Sequence, residues 1–477
     1  MKKVIAIAAA GIIGLTGLTL TNFINDPRPV LKVANWAEYI DGGDADSPLI
    51  HEFEEWYKEQ TGKEIRVEYC IADDNETLYN MIKMGDHFDV VCPSEYMLMK
   101  LVAENRVQKL PQSFFDKTIE TNYYINNVSP FISKTFAENK MKNGATWEEY
   151  AAGYMWGTTG FVYNPKYVNA EDVAQWDVFT NKKYSKKITA KNNIRDTYFT
   201  GLAMYYDAEL RELKSQYQNN TLSLSAYKAK LKTLMNDTSP STMNAVKNNL
   251  LSMTKNLYGF ETDEGKSKLI AGDITINFQW SGDAVYIMDV AEGVDEETVI
   301  EDAILLESGD KETISEDAVL LEYAIPETVS NLWFDGWTLM KDCKDVEAAT
   351  MFINFLSSPE NAVRNMNYIG YTSCIGSNYV YENFTLDYYG ADENETETVP
   401  YDLNYYFNPN YDTTSKETRL ATKDDAYIFN TRPDQTKRQL FAQYPDEDSL
   451  SRCVAMDFFP SDANARANSM WSDITFF

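Results

Sequence analysis

Histidine is nearly absent from this sequence, with only His51 and His87 among 477 residues. Each is expected on the surface of a helix or turn, which disfavours a catalytic triad or a zinc site that depends on histidine. Cysteine is also scarce: the five cysteines have no metal-ligand spacing, and their odd number leaves at least one free thiol in a monomer. We therefore predict no metal and no other cofactor.

Positive charge is in short supply as well. The chain has 43 lysine and arginine residues against 73 aspartate and glutamate residues, which gives a net charge of -30. This balance argues against a nucleic acid partner and favours cationic ligands, although part of the charge is expected simply to aid solubility. Aromatic residues are abundant by contrast, at 13% of the chain with 32 tyrosines. They indicate aromatic binding surfaces in addition to an aromatic core.

The N-terminus has the pattern of a targeting segment. Lys2 and Lys3 precede a run from Val4 to Leu20 that contains no charged residue. A basic start followed by such a run is typical of an export signal, and its length is also at the lower limit of a membrane-spanning helix. We predict that residues 1–29 are a signal peptide or a membrane anchor. The rest of the chain is then extracytoplasmic, in the periplasm or on the outer face of the cell membrane.

Strand and helix patterns alternate along the first part of the chain. The predicted pairs are strand 31–34 with helix 49–57, strand 65–71 with helix 76–84, and strand 88–92 with helix 97–105. This alternation predicts an α/β fold with a parallel sheet, whose ligand site lies at the carboxyl ends of the strands.

Aromatic and polar side chains follow two of these strands. Trp36, Glu38 and Tyr39 come directly after the first strand, and Ser94 and Tyr96 come after the third. Flat aromatic faces beside a carboxylate suit a ligand that is apolar along its length and positively charged, such as an organic amine.

Motifs for enzymatic chemistry are weak. The segment 259–267 resembles a phosphate-binding loop, but five residues instead of four separate its glycines, and it contains three acids. Paired carboxylates could serve glycoside hydrolysis, yet 73 acids make chance pairs unavoidable. Neither pattern supports an enzyme.

Two segments look like insertions. Residues 297–307 recur with changes at 312–322, which indicates a tandem duplication within an acidic surface insertion at 291–318. Residues 383–443 are rich in Tyr, Asn, Asp and Thr with little periodicity, and we interpret them as an irregular insertion.

Five short motifs then identify a family. They are residues 35–39, 89–96, 154–157, 333–335 and 369–371. In their residues and their order, the chain resembles the spermidine/putrescine-binding proteins of bacterial ABC importers from about residue 31 to residue 378. The resemblance implies a two-lobed type II periplasmic-binding-protein fold with a ligand cleft between the lobes. Lobe one would comprise residues 30–156 and 333–382, and lobe two residues 157–332 and 383–477.

The resemblance also implies ten ligand-binding residues. They are Trp36, Glu38, Tyr39, Ser94, Tyr96, Asp196, Trp280, Trp333, Asp335 and Tyr371. Trp333 is implied as a stacking indole, Asp335 as the carboxylate for an ammonium group, and Asp196 as a second acid for an amino group. Two positions depart from the family pattern: Ala37 replaces a hydroxyl residue, and Asn193 replaces an acid, which removes one salt bridge.

By this resemblance, the protein is a monomeric receptor without enzymatic activity. It would capture a polyamine, spermidine or putrescine, and deliver it to the permease of an ABC importer. Two alternatives stay open. One is a receptor for another organic cation or an oligosaccharide, because aromatic surfaces also stack on sugars; the other is a carbohydrate-active enzyme with two carboxylates.

Overall fold

The fold is a mixed α/β structure. A computed structural model describes residues 26–262, 264–293, 319–412 and 416–475. Its strands are β1 (Val30–Trp36), β2 (Arg66–Ala72), β3 (Val90–Val91), β4 (Val107–Gln108), β5 (Ala151–Tyr163), β6 (Ile188–Lys191), β7 (Gly259–Glu261), β8 (Ile276–Trp280), β9 (Glu322–Ala324), β10 (Ser330–Met340), β11 (Thr372–Ser373), β12 (Val399–Asp402), β13 (Ile428–Thr431) and β14 (Cys453–Val454).

Helices connect most of these strands. They are α1 (Pro48–Thr61), α2 (Asn75–Met84), α3 (Glu95–Ala103), α4 (Tyr123–Asn127), α5 (Pro130–Glu138), α6 (Ala170–Val173), α7 (Ile194–Tyr205), α8 (Asp207–Gln218), α9 (Leu224–Met235), α10 (Pro240–Thr254), α11 (Glu264–Ile270), α12 (Ser281–Gly293), α13 (Val346–Leu356), α14 (Pro359–Ile369), α15 (Asn378–Val380), α16 (Asp387–Tyr389), α17 (Asn404–Phe407), α18 (Lys416–Thr422), α19 (Gln439–Gln443), α20 (Glu447–Ser451) and α21 (Ser461–Thr475).

Local sequence signals set the ends of several helices. The α1 helix begins after Ser47, whose side chain accepts a hydrogen bond from the backbone N–H of Leu49, and Pro48 is its first residue. It ends at Gly62, whose φ of 71° lies in the left-handed region that glycine adopts readily. A hydroxyl before the helix and a glycine after it are strong boundary signals, which is why the sequence predicts this helix.

The main sheet is mixed rather than wholly parallel. Its central path runs β2, β1, β3, β10, β5, β8, β6 and β7. The β1 strand pairs in parallel with β2 and β3, and β6 pairs in parallel with β7 and β8. Between these parallel groups, β10 and β5 run antiparallel to each other and to their neighbours on the central path, β3 and β8, while β14 pairs in parallel with β10 off that path. The parallel prediction therefore holds within each group and fails at the junction, where the chain passes from one group to the other.

The junction consists of the two longest strands. Residues 151–158 of β5 pair with β10, and residues 159–163 of the same strand pair with β8. The β10–β5 register shifts between Asp335 and Gly336, so that Tyr154 is an extra residue on β5. Such a bulge bends and twists the strand pair locally.

The buried apolar residues form two clusters. The first contains side chains of β1, β3, α1 and α13, and the second contains side chains of α7, α10 and α21. Two cores joined by two strands agree with the two-lobed fold that the sequence predicts. The exact lobe boundaries stay a prediction. Residues Tyr401, Tyr406 and Tyr444 pack in the first cluster, which favours grouping their segment with lobe one instead of lobe two.

Several predicted segments lie partly outside the described residues. Of the predicted signal peptide or anchor, residues 1–25 are outside, and so are residues 294–318 of the acidic duplicated insertion. The 383–443 insertion is described except for residues 413–415, and it contains short helices and the β12–β13 antiparallel pair. All five cysteines are free thiols. Within the described ranges, no helix has the length and apolar character needed to cross a membrane.

Candidate functional site

Asp335 is a buried carboxylate in the middle of β10. Its side chain accepts hydrogen bonds from the hydroxyl of Ser94, at 2.6 Å, and from the hydroxyl of Tyr39, at 2.8 Å. The side chain of Trp36 is a third hydrogen-bond donor. Burial raises the pKa of Asp335 to about 6, although the three donors act in the opposite direction. The carboxylate is therefore ionised at neutral pH and is solvated by neutral groups.

The strand topology explains why these residues meet. Tyr39 follows the carboxyl end of β1, and Ser94 follows the carboxyl end of β3. The β10 strand lies beside β3, where the backbone N–H of Gly336 donates to the carbonyl of Pro93 at 3.1 Å and Ser94 forms a bridge with Asp335. Asp335 therefore lies at the carboxyl ends of β1 and β3 although it is in the middle of its own strand. The reason is that β10 runs antiparallel to β3 and passes these strand ends.

Asn75 holds Ser94 in place, and the sequence analysis did not identify it. Its side-chain amide donates to the hydroxyl of Ser94 at 2.9 Å, and its oxygen accepts from the backbone N–H of Ser94 at 3.0 Å. Asn75 begins α2 shortly after β2 ends, so its position at a strand end was the available signal.

Three aromatic rings form a row of contacts that begins at Tyr39, which donates to the carboxylate. The rings of Tyr39 and Tyr371 meet edge to face with centroids 5.6 Å apart, and Trp333 contacts Tyr371 at 5.3 Å. Two glycines make room for this group. A Cβ at Gly157 would lie 2.6 Å from the indole of Trp333, and a Cβ at Gly282 would lie 1.6 Å from the ring of Tyr371. Since Gly282 is the second residue of α12, Tyr371 also contacts the segment that follows β8.

Glu95 is a second buried carboxyl group, and its role was missed. It accepts a hydrogen bond at 3.0 Å from the backbone N–H of Phe334, next to Asp335. Burial raises the pKa of Glu95 to about 8. Glu95 is therefore mostly neutral at pH 7. Its hydrogen bond to Phe334 holds β10 in position, and its carboxyl group contributes little negative charge.

Tyr96 lies beside a cation of the protein itself. Its hydroxyl donates to Glu76 at 3.3 Å, and the guanidinium of Arg195 lies 4.7 Å from its ring centroid. The same guanidinium lies 4.1 Å from the ring of Phe459. Because Arg195 is in α7 and Tyr96 in α3, this stack joins the two halves of the molecule.

Asp196 and Trp280 form a separate cluster. Burial raises the pKa of Asp196 to about 6, whereas Lys191, a hydrogen bond from the side chain of Trp280, and Arg195 lower it. The ammonium of Lys191 lies 3.8 Å from the ring centroid of Trp280. The predicted aromatic wall is therefore already covered on the side that Lys191 occupies.

Asn193 and Glu38 have more peripheral positions. The side chain of Asn193 caps α7 and accepts from the backbone N–H of Arg195 at 2.7 Å. Its place among the ligand-binding positions stays a prediction. Glu38 is exposed, with a φ of 53° that is uncommon outside glycine. It raises the pKa of Tyr286 and Tyr368 through its charge, which indicates that it lies near both rings.

The ten predicted site residues thus fall into three groups. Trp36, Tyr39 and Ser94 donate hydrogen bonds to the carboxylate of Asp335, Tyr371 packs on Tyr39, and Trp333 packs on Tyr371. We call the set of these six residues the Asp335 box. Tyr96, Asp196 and Trp280 are engaged with Arg195 or Lys191, and Glu38 is exposed. In the described ranges, no group of three or more His, Cys, Asp or Glu residues is arranged to hold a metal ion.

Comparisons with known proteins agree with this architecture. The spermidine/putrescine-binding periplasmic protein of Escherichia coli K12 is 24% identical over 349 residues, which cover 72% of this chain and 78% of that protein. Among solved structures, a Listeria monocytogenes protein described as a spermidine/putrescine ABC transporter is 22% identical with a TM-score of 0.58, covering 93% of this chain and 98% of that one.

A second solved structure shares the fold. The spermidine/putrescine ABC transporter substrate-binding protein of Streptococcus pneumoniae is 22% identical with a TM-score of 0.54, covering 94% of this chain and 99% of that one. Residues 49–380 match the profile of a family described as bacterial extracellular solute-binding protein, which is more than half of the chain. The expected two-lobed α/β fold and extracytoplasmic location are confirmed, and the chain belongs to the bacterial extracellular solute-binding proteins.

Proposed function

We propose that this protein captures a polyamine outside the cytoplasm and delivers it to an ABC importer. The observation that carries the proposal is the Asp335 box. Its carboxylate accepts hydrogen bonds from Ser94 and Tyr39, and no cationic residue is among the groups that act on its pKa in the described part of the chain. A buried negative charge without a cationic partner is costly, and a cationic ligand would relieve that cost.

The box suits an alkyl ammonium group in particular. An ammonium donates charge-assisted hydrogen bonds to a carboxylate, and such bonds are stronger than those between neutral groups. The rings of Tyr39, Trp333 and Tyr371 offer apolar faces to methylene groups and π faces to a cation. Cation–π contacts of this kind contribute roughly 0.5 to 2 kcal/mol, depending on desolvation.

The related proteins support the same ligand class. The Escherichia coli relative is named for binding spermidine and putrescine, and the Streptococcus pneumoniae structure is named as a spermidine/putrescine substrate-binding protein. Membership in a solute-binding family favours capture over catalysis. We therefore propose a receptor without enzymatic activity, whose partner is the permease of an ABC importer.

The junction strands β5 and β10 are the proposed hinge for lobe closure. Because β5 and β10 connect the two halves and share a bulge at Asp335, a hinge motion would alter the surroundings of that carboxylate. A ligand that contacts both halves would favour the closed state by the difference in its affinity for the two states.

Titration calorimetry with the purified protein tests this proposal. Putrescine and spermidine are the ligands, and maltose and butylamine are the controls for sugar binding and for a single ammonium. We expect saturable one-to-one binding of at least one polyamine and no heat from maltose. Binding of maltose without polyamine binding would overturn the proposal, and so would turnover of the bound ligand.

A further inference from the structure

Glu95 and Asp335 are two buried carboxyl groups on segments that contact each other. Glu95 is 3% exposed and Asp335 is 6% exposed. Ser94 donates its hydroxyl to Asp335, and the backbone N–H of Phe334 donates to Oε2 of Glu95 at 3.0 Å. Burial raises the pKa of Glu95 most, and the charge of Asp335 raises it further. Because two buried carboxylates that act on one another oppose each other's ionisation, one of them carries a proton near neutral pH.

The hydrogen bonds decide which carboxyl group holds this proton. Three side chains of the Asp335 box donate to the carboxylate of Asp335. Glu95 accepts from the backbone at Oε2, and within the described residues its buried Oε1 has no hydrogen-bond partner. A charged oxygen without donors is costly in a buried site. The proton is therefore on Glu95, whose pKa is about 8, and the negative charge is on Asp335, whose pKa is about 6.

The other groups around Glu95 favour its ionised form only weakly. Burial holds the pKa of the Tyr96 hydroxyl, on the same helix, well above its usual range, so that group is neutral. The charge of Arg195 on α7 lowers the pKa of Glu95, but Glu76 and Asp457 act on the same guanidinium. Among the described residues, no cationic side chain donates a hydrogen bond to Glu95. An additional positive charge nearby would therefore change its protonation.

We propose that Glu95 loses its proton when a cationic ligand binds at Asp335, so that ligand capture is coupled to proton release. The inference rests on the proposed polyamine function and gives Glu95 a part in it. A ligand ammonium neutralises the charge of Asp335 and adds a positive charge of its own, and both effects favour the Glu95 carboxylate. The O–H bond of Glu95 breaks, its electron pair stays on the carboxylate, and the proton goes to the buffer.

The coupling acts in both directions. If the ligand weakens the hold of Glu95 on its proton by some factor, a proton on Glu95 weakens ligand binding by the same factor. Glu95 is thus a positioning residue that acts through Asp335 and Phe334. A purely structural role would give neither proton release on binding nor a pH dependence of affinity that disappears with the carboxyl group.

Titration calorimetry with putrescine at about pH 7.5 measures the released protons. The binding enthalpy is compared in phosphate and MOPS buffers, whose ionisation enthalpies differ, and the difference gives the number of protons per ligand. Glu95→Gln removes the titratable group and keeps an oxygen that can accept from Phe334. Glu54→Gln is the matched control, because Glu54 also accepts a backbone N–H, that of Val67 at 2.8 Å, but pairs with Arg28. Circular dichroism and thermal melting establish that each variant folds.

We expect wild type to release about half a proton per putrescine, for a coupling of about tenfold. With a pKa of about 8, Glu95 is about three-quarters protonated at this pH, and such a coupling lowers that fraction to about one quarter. Asp335 and Asp196, whose pKa values are about 6, together contribute less than about 0.1 proton. Glu95→Gln should release less than about 0.1 proton, and Glu54→Gln should match wild type.

The affinity gives a second readout. Between about pH 7 and about pH 8.5, putrescine affinity should rise about fourfold more in wild type than in Glu95→Gln. Polyamine binding by wild type without proton release would overturn the inference even if Glu95→Gln does not fold, and so would unchanged proton release in a folded Glu95→Gln. Binding of neither polyamine by wild type is a distinguishable result, because it would show that the proposed function itself is wrong.

Discussion

The two buried aspartates predicted to line the cleft differ in their partners rather than in their burial. Asp335 is 6% exposed and Asp196 is 5% exposed, and burial raises the pKa of each to about 6. Asp335 is surrounded by neutral hydrogen-bond donors, whereas Asp196 lies beside Lys191 and Arg195. Similar burial therefore leaves one negative charge available to a ligand and the other already balanced within the protein. We therefore expect the kind of partner, and not the depth of burial, to decide which acid binds a cation.

Replacing the two aspartates should give the largest contrast. We expect Asp335→Asn to weaken putrescine binding by at least about tenfold, because a charge-assisted hydrogen bond contributes at least about 1.5 kcal/mol. Asp196→Asn should weaken it by less than about threefold, since that charge is already balanced by two cations. Titration calorimetry at neutral pH measures both.

A matched control for this pair is Asp237→Asn. Asp237 accepts hydrogen bonds from the hydroxyls of Tyr206 and Thr242, each at 2.6 Å, and so resembles Asp335 in its partners. It lies outside the cleft and should leave the affinity unchanged. Equal losses in the Asp335 and Asp196 variants would contradict the contrast between the two sides.

Lowering the pH should weaken putrescine binding, and at low pH the loss should approach the one expected for Asp335→Asn. The pKa of Asp335 is about 6. In the proposed site, its ionised form is the one that binds an ammonium. The part of the affinity for putrescine that depends on Asp335 should be constant well above that value and should be about fivefold lower one pH unit below it, because most of the carboxyl is then protonated, and the loss should approach about tenfold at still lower pH. In Asp335→Asn this dependence should largely disappear. If Asp335→Asn keeps the wild-type pH profile in this range, the pH dependence of binding there comes from Asp196 instead, whose pKa is also about 6.

The same substitution should stabilise the unliganded protein. The pKa of Asp335 is 3.8 in the unfolded chain and about 6 in the folded one, so the folded state binds more protons between these values. Its free energy of unfolding therefore falls as the pH rises through that window. Above it, the buried charge costs up to about 3 kcal/mol.

Thermal melting without ligand can detect this effect. We expect Asp335→Asn to melt at a higher temperature than wild type at about pH 8, with a smaller difference at about pH 5. Asp196→Asn should gain less, because Lys191 and Arg195 lose a nearby negative charge. A lower melting temperature for Asp335→Asn at both pH values would show that its hydrogen bonds outweigh the cost of its charge.

The smallest effect is expected at Glu38. This side chain is exposed, and water and salt screen its charge. Glu38→Gln should change putrescine affinity by less than about threefold, and the change should shrink further as the salt concentration rises. A loss as large as that of Asp335→Asn would mean that Glu38 becomes buried when the ligand binds.

The sequence predicted the contacts within the Asp335 box better than those around Asp196 and Trp280, and the reason is physical. Tyr39 and Ser94 follow strands β1 and β3, and the carboxyl ends of parallel neighbours must lie close together. Their approach was therefore implied by the strand pattern alone. Asp335 itself was implied only by the family resemblance. It lies in the middle of a strand, and the strand pattern does not indicate that such a residue is near a ligand site.

The contacts around Asp196 and Trp280 depend on side-chain directions, which cannot be predicted from the hydrophobic periodicity of the sequence. Lys191 and Arg195 lie in a polar segment from which the resemblance singled out only Asp196 as an acid. That Lys191 ends β6 with its ammonium over Trp280, and that Asn193 caps α7, follows from the turn between β6 and α7 and not from any repeat in the sequence. The 383–443 segment looked irregular because its buried tyrosines follow neither a helical nor a strand period.

The bulge opposite Asp335 has a consequence for how this chain can change over time. Side chains alternate between the faces of a strand, so adding or deleting one residue in β5 or β10 would turn every following side chain to the other face. Trp333, Asp335 and Trp156 would then exchange surroundings with their neighbours. An added residue in β5 or β10 therefore keeps these surroundings only if a bulge absorbs it, as the present bulge absorbs Tyr154. A substitution in β5 or β10 should leave the register around Asp335 intact, whereas a change in strand length would need a compensating bulge to do so.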